Sequence, residues 1–367
     1  MASITSRAAV LTQFNHPLEL MELDVAAPRS DEIRVRLVAT GICHTDIAMI
    51  SGELPAGLPA VLGHEGAGVV EAVGSDVSTH AAGDHVVLSY AHCGHCENCS
   101  DGYPGYCDEF LSRNFECCRP DGSSAYCGPT PVKSHFFGQS SFAGHVVCSP
   151  RNAVKVSKDI PLDLACPLGC GIMTGAGTVM NAQKVRPGSS VAVFGAGAVG
   201  LSSVMAAKVC GATQITAVDL HAQRLDLAKE LGATDVHQST GTDTDRGALS
   251  AIAPRGFDYI VDTTGNMALI KAAMGHLGKR GHFALISAAP GVELELQANP
   301  ILMAGQTIQG VIEGESVPSV FIPKLIELYR LGQFPIDKLV TYFPFEKINL
   351  AIDASMDGSA VKPVLRF

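Results

Sequence analysis

Positive charge is in short supply in this chain: 26 Lys and Arg stand against 36 Asp and Glu, a formal net charge of −10. A nucleic-acid binder needs a basic face to offset phosphate charge, so nucleic acid is not an expected partner. No uninterrupted apolar run reaches the roughly 20 residues that span a bilayer, so no membrane partner is expected either. The N-terminus lacks a charged region followed by an apolar stretch, which argues against secretion and for a reducing, cytoplasmic compartment. Tryptophan is absent, which decides nothing about function. Charged residues are also sparse, at 17% against 47% hydrophobic, the balance of a well-buried globular protein. At 367 residues the chain is long for a single core, and two domains are expected.

Cysteine, in contrast, is plentiful, with 12 residues. Four of them form a tight run, Cys93, Cys96, Cys99 and Cys107, among glycines and turn residues. Four thiolates so close in sequence can close a tetrahedron around one Zn2+ and leave no open position, as a structural site does. Disulfides are the competing reading, but cysteines spaced by two residues pair poorly, and the chain shows no export signal. A second set has the opposite spacing. Cys43, His64 and Cys170 lie far apart, each in a glycine-rich context: Cys43 after Gly41, His64 between Gly63 and Glu65-Gly66, Cys170 between Gly169 and Gly171. Three protein ligands with one open position make a catalytic zinc. His44 is a rival ligand, although adjacent residues rarely both reach one ion.

The first 170 or so residues read as short strands broken by Gly and Pro, including Ile33 to Val38, Gly66 to Val73 and Phe142 to Val147. Near Gly175 the texture changes. An apolar strand, Ser190 to Phe194, runs into Gly195-Ala196-Gly197-Ala198-Val199-Gly200 and a helical stretch through Val209; strands and helices then alternate. That rhythm predicts a doubly wound parallel sheet. In this setting Gly195 allows the tight turn, Gly197 lets the backbone approach a pyrophosphate and Gly200 lets helix and strand pack closely. Asp219, about 20 residues on, ends the next strand. There it can accept hydrogen bonds from ribose hydroxyls and repel a 2′-phosphate, which favours NAD over NADP; alternatively it only caps the helix beginning at His221. No flexible linker is evident, so the domains are expected to press together around a cleft.

These segments together resemble the zinc-dependent medium-chain alcohol dehydrogenases over essentially the full chain. The motifs that carry the resemblance are Gly41-Ile42-Cys43-His44-Thr45-Asp46, Gly63 to Val70, the cysteine run, Gly169-Cys170-Gly171 and Val191 to Gly200. Within the family the chain looks most like the bacterial aryl (benzyl) alcohol dehydrogenases. The resemblance implies an α/β protein with a GroES-like β-rich catalytic domain, residues 1–171 and 313–367, carrying both zinc sites. A Rossmann NAD-binding domain, residues 172–312, would lie between those segments. It further implies that Cys43, His64 and Cys170 bind the catalytic zinc with Glu65 beside it, and that Asp46 orients His64. Thr45 would hydrogen-bond the substrate oxygen, and Thr174 would lie near the nicotinamide. His44, Arg224 and Lys362 would fall at cofactor-contacting positions, with ordinary solvated charge as the competing reading.

The activity implied is NAD-dependent, reversible oxidation of primary aromatic or allylic alcohols to aldehydes by a homo-oligomer, a dimer or a tetramer. Tyr90, Phe136, Phe137 and Ile312 align with pocket positions, and Ala288 and Ala289 replace bulkier residues there; Phe136 and Phe137 could equally be plain core. One departure is Ala48, which stands where many members carry a relay His. Two competing functions share the fold. A glutathione-dependent formaldehyde dehydrogenase would need cationic groups in the pocket, for which Arg113 and Arg119 are the unassigned candidates. A non-catalytic zinc and NAD scaffold would be expected to have lost ligands, and none is missing.

Overall fold

The protein is described here as a computed structural model covering residues 2–54, 57–128, 131–240, 246–287 and 290–367. Ala288 and Ala289 lie outside the described residues. The chain divides into two compact units, the first comprising Met1–Gly171, Ser316–Glu327 and Ile336–Phe367, the second Ile172–Glu315 and Leu328–Pro335.

The first unit is built on antiparallel pairing. Its larger sheet runs in the order Val340–Pro344, Lys362–Arg366, Ile33–Gly41, Glu65–Val73, His85–Leu88, Ala153–Lys155, with His145–Cys148 also paired to Ile33–Gly41. A four-stranded sheet, Ala60–Val61, Ile4–Leu11, Glu19–Val25 and Tyr126–Cys127, completes it. Alternation sets the faces: Ile33, Val35 and Leu37 point one way into a core with Val70, Val86, Leu88, Val146 and Cys148. Each such fully buried side chain contributes about 1.5–3 kcal/mol of transfer free energy. Register shifts between Arg34 and Val35 and between Leu37 and Ala39 bend the strand that ends at Gly41. Gly41 pairs with Glu65 on one side and Val364 on the other, so the end of the chain returns beside the Cys43 and His64 segments.

The second unit carries a six-stranded sheet in the order Asp235–Gln238, Gln214–Asp219, Ser190–Phe194, Phe257–Asp262, Leu277–Leu285, Thr307–Gly310, all neighbours parallel. Counted along the chain this is 3-2-1-4-5-6, the doubly wound dinucleotide-binding topology. Its central strand, Ser190–Phe194, is buried on both faces from Val191 onward, as helix-covered parallel strands are. The strand order reverses at this strand, whose carboxyl end runs into the glycine loop, and the helix Ala198–Val209 follows at once. Among the described residues no single helix is long and apolar enough to cross a membrane.

Candidate active site

Cys43, His64, Glu65 and Cys170 meet within the first unit, their ligating atoms all within 4.8 Å of one another. Three separate elements deliver them. Cys43 caps the helix His44–Ser51, His64 immediately precedes the strand Glu65–Val73, and Cys170 follows a 3-10 turn, Cys166–Gly169. Asp46 ties the first two together: its Oδ2 accepts the Cys43 N–H at 2.9 Å, and its Oδ1 accepts the Gly63 N–H at 3.1 Å and lies 3.0 Å from His64 Nδ1. That bond turns Nε2 toward the thiols, where it is buried without a hydrogen-bond partner.

An imidazole nitrogen left bare in a dry site next to two thiols is a costly arrangement for a protein alone and a fitting one for a soft divalent metal. The electrostatics also favour a cation among these groups, stabilising negative charge on sulfur and positive charge at the ring. Hydrogen bonding from Cys170 holds the Cys43 thiol well below its ordinary range against the opposing effect of burial, and His64 and Lys362 add to it. Burial works against a charged His64, but Asp46 and then Cys43 outweigh it and hold the imidazole well above its usual value.

Glu65 takes part in a buried ion pair. Its oxygens accept from Lys362 Nζ at 2.9 Å each, and its Oε1 also accepts the Gly171 N–H at 3.1 Å. Burial raises its carboxyl above the ordinary value in spite of the ammonium beside it. Lys362, for which the resemblance implies a cofactor contact, is only 3% exposed and directs its three N–H donors to Glu65 and the Ile42 carbonyl. His44 is exposed on its helix, and Thr45 Oγ lies 3.9 Å from Cys43 Sγ.

The aromatic candidates pack on this centre. Phe137 stacks on the His64 ring at 4.5 Å, and Phe136 meets it edge-on at 5.4 Å. Tyr90 is buried, its hydroxyl donating to the Ser316 carbonyl at 2.6 Å. Two aromatics that the sequence reading left out, Phe110 and Phe115, extend the cluster, with Phe115 5.2 Å from Phe137 and Phe110 5.8 Å from Tyr90. Phe115 also lines a cavity of about 540 Å³ together with Leu54, Leu111 and Cys118. Ile312 and Thr174 belong to the second unit; Ile312 is 41% exposed, and Thr174 Oγ donates to Glu313 at 3.3 Å.

The four-cysteine run folds back on itself around the short helix Glu97–Ser100, and its sulfurs lie within 4.8 Å of one another. All twelve cysteines are free thiols. Backbone N–H groups of His95 and Cys96 point at Cys93 Sγ from 3.4 and 3.3 Å, and the Cys93 N–H points at Cys107 Sγ from 3.2 Å. Burial opposes charge on Cys93, but those donors pull its pKa down to about 7. Burial raises the Cys99 and Cys107 thiols above their ordinary range, whereas Cys93 is held toward thiolate by the protein alone. Amides aimed at sulfur and no disulfide fit a tetrahedral metal that would supply the rest.

In the second unit, Gly195 turns with φ +90°, and a Cβ at Gly200 would lie 1.7 Å from the Gly195 carbonyl oxygen. A Cβ at Gly197, at the start of the helix, would project into open space, room that a phosphate can occupy. Asp219 accepts the Ala196 N–H at 2.6 Å and the His221 N–H at 2.8 Å, so it shapes the glycine loop and opens the next helix together. Arg224 Nε is buried without a partner. The donor set fits a dinucleotide.

Comparison with known proteins agrees with this layout. Residues 29–158 match the alcohol dehydrogenase GroES-like domain, and residues 198–329 match the zinc-binding dehydrogenase domain. The chain is 41% identical to geraniol dehydrogenase of Castellaniella defragrans over 99% of its length and 98% of that protein. It superposes on the crystal structure of benzyl alcohol dehydrogenase from Acinetobacter calcoaceticus with a TM-score of 0.96 at 45% identity, 99% of each chain covered. An alcohol dehydrogenase zinc-binding domain protein from Burkholderia ambifaria gives 0.97 at 48%, covering 100% of this chain and 99% of that one. A GroES-like unit holding the Cys43–His64–Cys170 cluster, a doubly wound unit and these full-length matches lead to one conclusion: the chain belongs to the zinc-dependent medium-chain alcohol dehydrogenases.

Proposed function

We propose that this alcohol dehydrogenase oxidises primary aromatic or allylic alcohols of the benzyl type to aldehydes, reversibly, with NAD+ as hydride acceptor. One zinc is held by Cys43, His64 and Cys170, with Glu65 beside it, and a second by Cys93, Cys96, Cys99 and Cys107. The observation that carries the reading is the His64 ring: Nε2 is buried and partnerless beside two thiols, and an aromatic wall lies against the ring. The relatives' names point the same way, one naming a benzylic and one an allylic alcohol.

Zinc in that site would supply Lewis acidity toward the alcohol oxygen, and the nicotinamide would supply the hydride acceptor. Asp46 keeps the Nδ1 proton of His64 and thereby presents Nε2 as the donor. Lys362 balances Glu65, so this carboxylate lies beside the cluster without adding a full unpaired charge to it. Phe136, Phe137 and Phe115 exclude water and offer apolar area to a ring or an isoprenoid tail. Thr45 Oγ would accept the alcohol proton while passing its own hydroxyl proton to solvent water. Ala48 offers no side-chain base to carry that proton onward. In the second unit, Asp219 favours an unphosphorylated ribose.

Both cationic candidates for the glutathione-dependent alternative are engaged in ion pairs, which favours the proposed reading over it. Arg119 is 5% exposed and binds Glu32 through two nitrogens at 2.6 and 2.9 Å, and Arg113 pairs with Glu109 at 2.7 Å. Incubating the zinc-loaded protein with benzyl alcohol and NAD+ tests the proposal: benzaldehyde and NADH should form in equal amounts. If neither benzylic nor allylic primary alcohols yield NADH, the proposal fails.

A further inference from the structure

The three dispersed candidate ligands need a rigid relation to one another, and Asp46 supplies it only between Cys43 and His64. Between His64 and Cys170 the Glu65 carboxylate, which accepts the Gly171 N–H at 3.1 Å, makes one link. A chain of buried, uncharged hydrogen bonds makes a second. The Gln139 amide, 1% exposed, donates to the His64 carbonyl at 2.9 Å and to the Ser89 carbonyl at 3.2 Å, while its oxygen accepts the Gly66 N–H at 3.1 Å. Ser89, also 1% exposed, donates its hydroxyl to the carbonyl of Gly169, the residue before Cys170, at 2.7 Å.

The sequence around this chain is shaped to permit it. A Cβ on Gly66 would lie 3.2 Å from the Gln139 amide oxygen and 2.9 Å from Ser141 Cβ, and one on Gly169 would lie 2.0 Å from the Leu88 carbonyl oxygen. Gln139 itself sits in a turn with a dense run of left-handed residues: His135 at φ +68°, Phe137 at +50°, Gly138 at +66° and Ser140 at +54°. Strained conformations at non-glycine residues persist only where the surroundings over-determine them. Here the Ser140 hydroxyl donates to the Val61 carbonyl at 2.6 Å, and Asn152 donates to the Phe137 carbonyl at 3.2 Å.

We infer that Gln139 and Ser89 are positioning residues for the catalytic metal, forming a bridge that fixes His64 relative to Cys170 as Asp46 fixes it relative to Cys43. The inference rests on Cys43, His64 and Cys170 being the ligands. Outer partners of metal ligands typically hold about 10–100-fold in metal affinity, so the loss on breaking the bridge is measurable.

The test replaces zinc by cobalt(II), whose visible bands report ligand geometry, and follows metal loss to EDTA site by site. Gln139→Leu and Ser89→Ala should each shift the bands that disappear in Cys170→Ala, and should speed metal loss from that site roughly tenfold. The four-cysteine site should keep its native rate. Gln139→Glu, assayed at alkaline pH where its carboxylate can accept from Gly66 but cannot donate to the two carbonyls, should behave like Gln139→Leu, whereas Ser89→Thr should keep native behaviour. Ser89→Ala decides the matter if Gln139→Leu does not fold, because it deletes one hydroxyl only. Native bands and native loss rates in folded Ser89→Ala and Gln139→Glu would overturn the inference. Bands unaltered by Cys170→Ala would remove the ligand assignment beneath it, and the inference with it.

Discussion

Thr45 and Asp219 carry the sharpest expectations at the scale of single residues. Thr45 Oγ lies beside Cys43 Sγ in the first turn of its helix, and Ala48, one turn on, has no base to replace it. Thr45→Ala should lower kcat and kcat/KM together by about 10², the usual scale for losing proton-transfer assistance, while Thr45→Ser should keep most of the activity. Steady-state kinetics across the neutral pH range measure this, and an unchanged kcat/KM in Thr45→Ala would remove the hydroxyl from the mechanism. Asp219 holds the Ala196 and His221 amides, and under the proposed function its charge would repel a 2′-phosphate. Asp219→Ser should therefore weaken the preference for NAD+ over NADP+ and raise KM for NAD+. A cofactor ratio that does not move would place discrimination at another residue, with Arg224 the nearest candidate in the sequence.

The turn from His135 to Ser140 is the element that shapes the aromatic wall, and its stability should depend on pH. Burial first, then the Arg119 guanidinium, push the His135 imidazole down to about 4. The folded state thus holds the ring neutral, while the unfolded chain binds a proton near about 6.5. The stabilisation is complete above that value and is lost as pH falls toward about 4, a loss on the order of 3 kcal/mol if the shift is fully realised. Urea midpoints should fall across this window in the parent protein and fall less in His135→Gln; identical slopes would show that His135 does not govern the acid sensitivity.

Legibility divides along the same line of local and distant contacts. The glycine loop and the cysteine run were readable because spacing over a few residues fixes their geometry. The doubly wound parallel sheet followed from the alternation of strands and helices after Ser190, but its strand order comes only from the structure. The Gln139–Ser89–Gly169 bridge joins segments 50 and 80 residues apart, and Lys362 reaches Glu65 across 297, so no local pattern announces either. Lys362 is expected from the resemblance at a cofactor-contacting position, with a solvated charge as the competing reading; only the pairing of its strand with Gly41 takes it inside against Glu65. Phe110 and Phe115 were missed because the stretch after Cys107 has no clear periodicity, although their aromatic character near Phe136 was a usable signal.

For the whole molecule, the two thiol-rich centres differ in kind: one is a closed set of four sulfurs knotted by backbone amides, the other an open set delivered by three elements. Metal analysis should find two zinc ions per chain. Chelation should abolish turnover by emptying the Cys43–His64–Cys170 site before it lowers thermal stability through the Cys93–Cys107 site. A fully active protein with one zinc per chain would contradict the assignment. The most direct test of the central claim, an aromatic-walled alcohol dehydrogenase using NAD+, is the ratio of kcat/KM for benzyl alcohol to that for ethanol, read by NADH absorbance. Burying a ring at roughly 25 cal/mol per Å2 adds a few kcal/mol that ethanol cannot supply, so the ratio should reach at least about 10². A ratio at or below unity would contradict the account.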